Sequence, residues 1–174
     1  SVYLDYLLSN KLGAVFLFGG AEEVIPPLGN PNLFDEYIMM YEKPFVERIR
    51  DQGRLAMLHC YSCVKTVMDK IIATGYDAIQ PLEPPPMGDI TMAEAKEATK
   101  GTNICLVGNI ELSDMYELTP DEIDGLVKET IAEGKPGGGF ILCVSSCLYE
   151  TVLSDKVLDN YIAYIDAGRK YGKY

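Results

Sequence analysis

Positive charge is scarce in this chain. Lys and Arg number 15 against 26 Asp and Glu, which leaves a formal net charge of −11. A nucleic-acid-binding protein concentrates cations to displace phosphate counterions, so this balance argues against that class of partner. A strongly anionic ligand would meet the same repulsion. Long apolar runs are missing too: no window approaches the roughly 20 residues needed to cross a bilayer. The opening stretch, SVYLDYLLSNKLG, has no basic region ahead of an apolar one, which predicts no secretory leader. It also lacks an initiator Met, as expected of a chain begun inside a longer one or of one whose leading Met was removed. Five cysteines, an odd number placed mostly in pairs, suit free thiols or a metal site better than a disulfide framework, and the chain reads as cytoplasmic.

What is present is the composition of a globular protein. Of the 174 residues 48% are hydrophobic and 24% charged, enough for one domain with a substantial core. Short, nearly continuous apolar runs recur: AVFLF (14–18), LAML (55–58), DAIQPL (77–82), NICLVG (103–108) and GFILCV (139–144). Runs without polar alternation predict strands covered on both faces, as in a parallel sheet. Amphipathic segments lie between them. LFDEYIMMYEKPFVERIRDQG contains Pro44, which predicts a helix broken or kinked there. VKTVMDKIIATG ends at Gly75, a residue suited to a left-handed C-cap. Thr91 with Glu94 and Thr119 with Glu122 have the spacing of capping boxes, and a last helix follows Ser154.

A helix followed by about five strand-then-helix units means an α/β fold with right-handed crossovers. A dinucleotide-binding sheet would carry G-x-G-x-x-G after its first strand; GGAEEV does not fit, and it brings two carboxylates where phosphate would sit. A partial (βα)8 TIM-type barrel explains more, because polar groups gather just after each strand: Glu22 and Glu23, His59 and Cys60, Gln80 and Glu83, Asn109 and Glu111, then Ser145, Ser146 and Cys147. Barrel enzymes place their chemistry at that end of the strands, and a closed barrel takes about 250 residues. A shorter chain would leave exposed strand edges that need a partner.

Taken in order, HCYSCV, DAIQPLEPPPMGDITMAEAK, ICLVGNIE, GGGFILCVSS and NYIAYIDAGRKYG resemble the C-terminal half of the uroporphyrinogen decarboxylase superfamily, which also includes corrinoid-dependent methyltransferases. The resemblance implies that residues 1–174 are the C-terminal part of a (βα)8 barrel domain. The missing N-terminal half or a second copy would complete it, and the chain alone would be inactive. A decarboxylase acting on a tetrapyrrole with many carboxylates needs cations at the barrel mouth. The arginines here, Arg48, Arg50, Arg54 and Arg169, fall on predicted helices or ahead of a strand.

The methyltransferase branch is therefore the nearer likeness. It implies a small-molecule substrate, a corrinoid carried by a partner protein, and a zinc ion that turns a bound thiol into thiolate. His59 matches the first ligand of that branch's His-x-Cys pattern; two residues on stands Tyr61, so the sulfur ligands fall to Cys60, Cys63 and Cys147. Read from the residues alone, the same stretch suits a buried histidine with small core cysteines equally well. Glu83, Asn109 and Glu150 are expected to line the substrate mouth. Two alternatives accompany this reading: a uroporphyrinogen decarboxylase of porphyrin biosynthesis, and a non-catalytic half-barrel binding module.

Overall fold

In the computed structural model, which describes residues 1–173, five parallel strands form one sheet: β1 (Val15–Phe18), β2 (Leu55–Cys60), β3 (Ala78–Pro81), β4 (Cys105–Ile110) and β5 (Phe140–Val144). Each strand pairs with the next in sequence. That order decides between the two architectures compatible with alternating strands and helices. A doubly wound sheet reverses direction at a switch point, whereas a barrel wall adds strands in one direction only. The sheet is a stretch of barrel wall, and β1 and β5 are its edges.

Helices α1 (Val2–Ser9), α2 (Met40–Asp51), α3 (Met68–Thr74), α4 (Met92–Ala98), α5 (Asp114–Glu117), α6 (Pro120–Gly134) and α7 (Asp155–Tyr171) complete the order. Their boundaries follow local chemistry. Thr91 and Thr119 each form the full reciprocal capping box, with Glu94 and Glu122. The Ser154 hydroxyl accepts from the Val157 amide, and Gly75 ends α3 in the left-handed conformation. One expectation is corrected. Helix α2 runs unbroken through Pro44, and the irregularity lies one turn earlier, in a π-helical turn at Asp35–Met39. Proline removes one N–H donor, and the wider turn just ahead of α2 accommodates that loss without breaking the helix.

The pleat sorts the strand residues between two faces. Ala56, Leu58, Cys60 and Ile79 pack with Val46, Ile49 and Ile71 in one core beneath the helices. Ile110 packs in a second core with Met115, Ile123, Val127 and Ile131, joined by Leu142 and Val144. The opposite face, which would line the inside of a closed barrel, leaves Val15, Leu17, Leu55 and Ile141 exposed. Among the described residues no helix is long and apolar enough to cross a membrane.

Candidate active site

Strand β2 extends two residues beyond the apolar run that announced it and includes His59 and Cys60. Alternation then divides the pair. Cys60 is fully buried in the helix-side core, and burial first, then the charges of Glu22, Glu42 and Glu83, pushes its thiol up to about 12. His59 faces the other way. Its Nδ1 lies 3.1 Å from Gln80 Oε1 across the β2–β3 pair, and its ring meets that of Tyr61 edge-on at 4.5 Å. Gln80 Nε2 in turn approaches Cys143 Sγ at 3.5 Å, and the Tyr61 hydroxyl donates to Ser146 Oγ at 3.3 Å. Side chains from β2, β3 and β5 are thus linked across the inner face.

Glu83 follows β3 and is buried. Its Oε2 accepts the Ser62 amide at 2.7 Å. Ser62 and Leu82 both have left-handed backbones, at φ 78° and 59°, a conformation costing a non-glycine residue roughly 1–2 kcal/mol. The loop Pro84–Gly88 folds back on Glu83 because Gly88 has no side chain: a Cβ there would stand 2.0 Å from the Glu83 carbonyl oxygen.

Past β4, Glu111 is only 8% exposed. Ser145 Oγ donates to its Oε2 at 3.1 Å and accepts the Leu112 amide at 3.1 Å, while the Ser145 amide donates to the Ile110 carbonyl at 2.7 Å. The other carboxyl oxygen, Oε1, is buried without a partner among the described residues. Burial, then the negative charge of Glu83, lifts the Glu111 carboxyl to about 7; the Ser145 hydrogen bond opposes that rise and Asp114 adds to it.

The residues expected to act together are partly separated. Asn109 is buried and borders a small cavity of 150 Å³ between Pro84, Thr91 and α6, outside the hydrogen bonds just described. Glu150 is exposed in the loop between β5 and α7. Cys147 is exposed as well, and the partly buried Cys63 thiol is raised, first by burial and then by Asp89 and Glu83. Among the described residues no three His, Cys, Asp or Glu side chains come together as a metal site. The set His59, Cys60, Cys63 and Cys147 therefore does not fit a zinc ion in this structure, because the pleat sends Cys60 away from His59. In the sequence Ser145 was only a polar residue after a strand, and Glu111 resembled, with Asn109, a polar pair of the superfamily; the pairing of Glu111 with Ser145 spans 34 positions and leaves no local signal.

Polar groups thus gather past the ends of consecutive parallel strands, the end at which barrel enzymes place their chemistry. The model of the uroporphyrinogen decarboxylase (URO-D) family matches residues 3–171, and the chain belongs to that family. Among solved structures it is similar to a methyltransferase from Methanosarcina mazei, with a TM-score of 0.70 and 19% identity. That match covers 99% of this chain and 46% of the methyltransferase, so the chain spans less than half the length of that structure. A thiamine phosphate pyrophosphorylase from Pyrococcus furiosus matches at 12% identity over 96% of this chain and 90% of its own, with a TM-score of 0.38. No curated protein matches.

Proposed function

We propose that the protein takes part in methyl transfer, moving a methyl group to or from a corrinoid carried by a partner protein, with the rim around Glu83 and Glu111 as its substrate site. The observation that carries this reading is the charge of the rim. Two buried carboxyl groups lie there, and every arginine is engaged elsewhere: Arg48 with Asp5, Arg50 with Asp77 at 3.3 Å, Arg54 with the Lys11 carbonyl at 3.3 Å, and Arg169 with Asp166 at 3.9 Å. Lys65, which follows β2, is held by Glu94 at 2.6 Å. On the part of the rim that these five strands build, several buried carboxylates of a tetrapyrrole would find no free arginine to pair with, and unpaired buried charge is costly.

The likeness to the Methanosarcina mazei methyltransferase supports the same reading at the level of fold. Completion of the barrel wall, by further strands of the protein or by a second copy, belongs to this proposal, since β1 and β5 are open edges. No step is assigned to zinc. What the chain's own residues supply is the buried Glu111 carboxyl, lifted to about 7, and a hydrogen-bonded wall, His59–Gln80–Cys143, on the inner face. The test is transfer of a methyl group between a small donor and a reduced corrinoid protein, followed by corrinoid absorbance. Transfer that depends on this protein supports the reading. Release of CO2 from a porphyrinogen without methyl transfer would establish the decarboxylase instead.

A further inference from the structure

We infer that the cavity beside Asn109, between the end of β4 and α6, binds a small primary ammonium compound. Asn109 and Thr130 supply its hydrogen bonds, and Glu129 and Glu133 supply the counter-charge. The site lies outside the hydrogen bonds of the rim and does not depend on the methyl-transfer reading.

Two buried polar side chains meet there without partners. Asn109 and Thr130 are each 6% exposed, and both line the same cavity of 150 Å³. Among the described residues neither the Asn109 amide nor the Thr130 hydroxyl has a hydrogen bond. The other buried threonines behave differently: Thr74 and Thr99 return their hydroxyls to the carbonyls of Lys70 and Ala95, each at 2.8 Å. The free groups are not walled in. Glu111 Oε1 and Asn160 Oδ1 are sealed from solvent without a partner, whereas the polar atoms of Asn109 and Thr130 keep accessible surface. Buried polar groups are as a rule hydrogen-bonded, so two left open on one cavity call for an occupant that bonds to both.

The lining selects the occupant. Leu126, Glu129, Thr130 and Glu133 follow the three- and four-residue spacing of one helical stripe, so α6 brings two carboxylates to the cavity one turn apart. Like charges at that spacing repel. Among the described residues neither carboxylate is in an ion pair and no Lys, Arg or His lines the cavity; Glu133 has only the Ala93 amide, 3.1 Å from its Oε2. The missing charge is therefore positive. A divalent metal ion fits poorly, since it takes about six or more oxygen ligands, and no third acidic, His or Cys side chain joins the two carboxylates among the described residues. Pro84, Met92 and Leu126 offer a carbon surface instead. An ammonium group donates three N–H bonds, which Asn109 Oδ1, Thr130 Oγ1 and a carboxylate oxygen accept, while its alkyl chain covers the apolar wall. A cavity of about 150 Å³ holds a molecule the size of benzene, which limits the compound to about six non-hydrogen atoms.

Titration of the protein with n-butylammonium, followed by 15N NMR of the Asn109 side-chain amide and the Thr130 backbone amide, tests the site. Both signals should shift and saturate. Thr130→Val keeps the shape and removes the hydroxyl. It should weaken binding roughly 10–100-fold, the effect of losing one hydrogen bond to a charged group, and the free variant should unfold at the same denaturant concentration as wild type or higher, because the hydroxyl has no partner to lose. Lost stability with unchanged affinity would make Thr130 a structural residue and overturn its role. Glu129→Gln, an exposed position, should weaken binding by a similar factor. Tetramethylammonium lacks the N–H donors and butanol lacks the charge, so each should bind roughly tenfold or more weakly than n-butylammonium. Equal affinity for either, or saturation by Mg2+ or Ca2+ in place of the amine, overturns the ligand class. No saturable shift with the amine means a cavity filled by water alone and overturns the site.

Discussion

His59 and Cys60, consecutive in the chain, lie on opposite faces of β2: the imidazole meets Gln80 across the inner face, and the thiol is sealed in the helix-side core. A metal bound between them would require the strand to turn over. The protein is accordingly expected to purify without stoichiometric zinc, and His59→Ala should leave its metal content unchanged. Elemental analysis checks this. One zinc per chain, lost on replacing His59, would contradict the geometry.

Gly88 permits the proline-rich loop to close over Glu83, and a methyl group there would meet the Glu83 carbonyl oxygen at 2.0 Å. Gly88→Ala should therefore cost roughly 1–3 kcal/mol, the usual range for overpacking, and shift Glu83 away from the Ser62 amide. Denaturant unfolding gives the energy. Unchanged stability would mean that the loop is held some other way.

Glu111 couples stability to pH. Its carboxyl titrates at about 7 in the folded protein against an ordinary value of 4.5, so between those values the folded state keeps a proton that the unfolded chain has released. Stability from this group is therefore full below about pH 4.5 and falls as pH rises towards 7, by on the order of 3 kcal/mol. Glu111→Gln should remove that slope and unfold at higher denaturant than wild type above pH 7. Unfolding midpoints measured from pH 5 to 8 test the sign as well as the size.

Asn160 on α7 is fully buried, and its Nδ2 donates to the carbonyls of Met115 at 3.0 Å and Leu118 at 2.8 Å. It ties the last helix to the turn after β4, close to Glu111. Asn160→Ala leaves both carbonyls unpaired, at roughly 1–3 kcal/mol for each buried group, and should lower the unfolding midpoint accordingly. Hydrogen exchange around residues 112–118 would show whether the loosening reaches the rim.

Much of the fold was legible because it follows from local rules. The apolar runs marked the strands to within two residues or so, and Thr91, Thr119, Ser154 and Gly75 announced helix ends through chemistry within a few positions of each boundary. The site was less legible for the same reason. Two extra residues on β2 decide which way Cys60 points, and hydropathy cannot show whether a polar His59 ends a strand or follows it. Ser145 with Glu111, and Gln80 with Cys143, are joined by the register of parallel strands, which depends on crossovers tens of residues long. Glu83 was singled out because Pro84, Pro85 and Pro86 mark its loop as rigid, and Asn109 because with Glu111 it resembles a polar pair that the superfamily places after a strand, whereas Glu150 had only its position to recommend it.

The rim's charge bears most heavily on function, and one comparison puts it to the test. Given a reduced corrinoid protein with a small methyl donor in one reaction and uroporphyrinogen in another, the protein should methylate the corrinoid and release no CO2. Steady CO2 release with an unmethylated corrinoid would contradict the assignment, since it would mean that a polycarboxylate binds productively against Glu83 and Glu111.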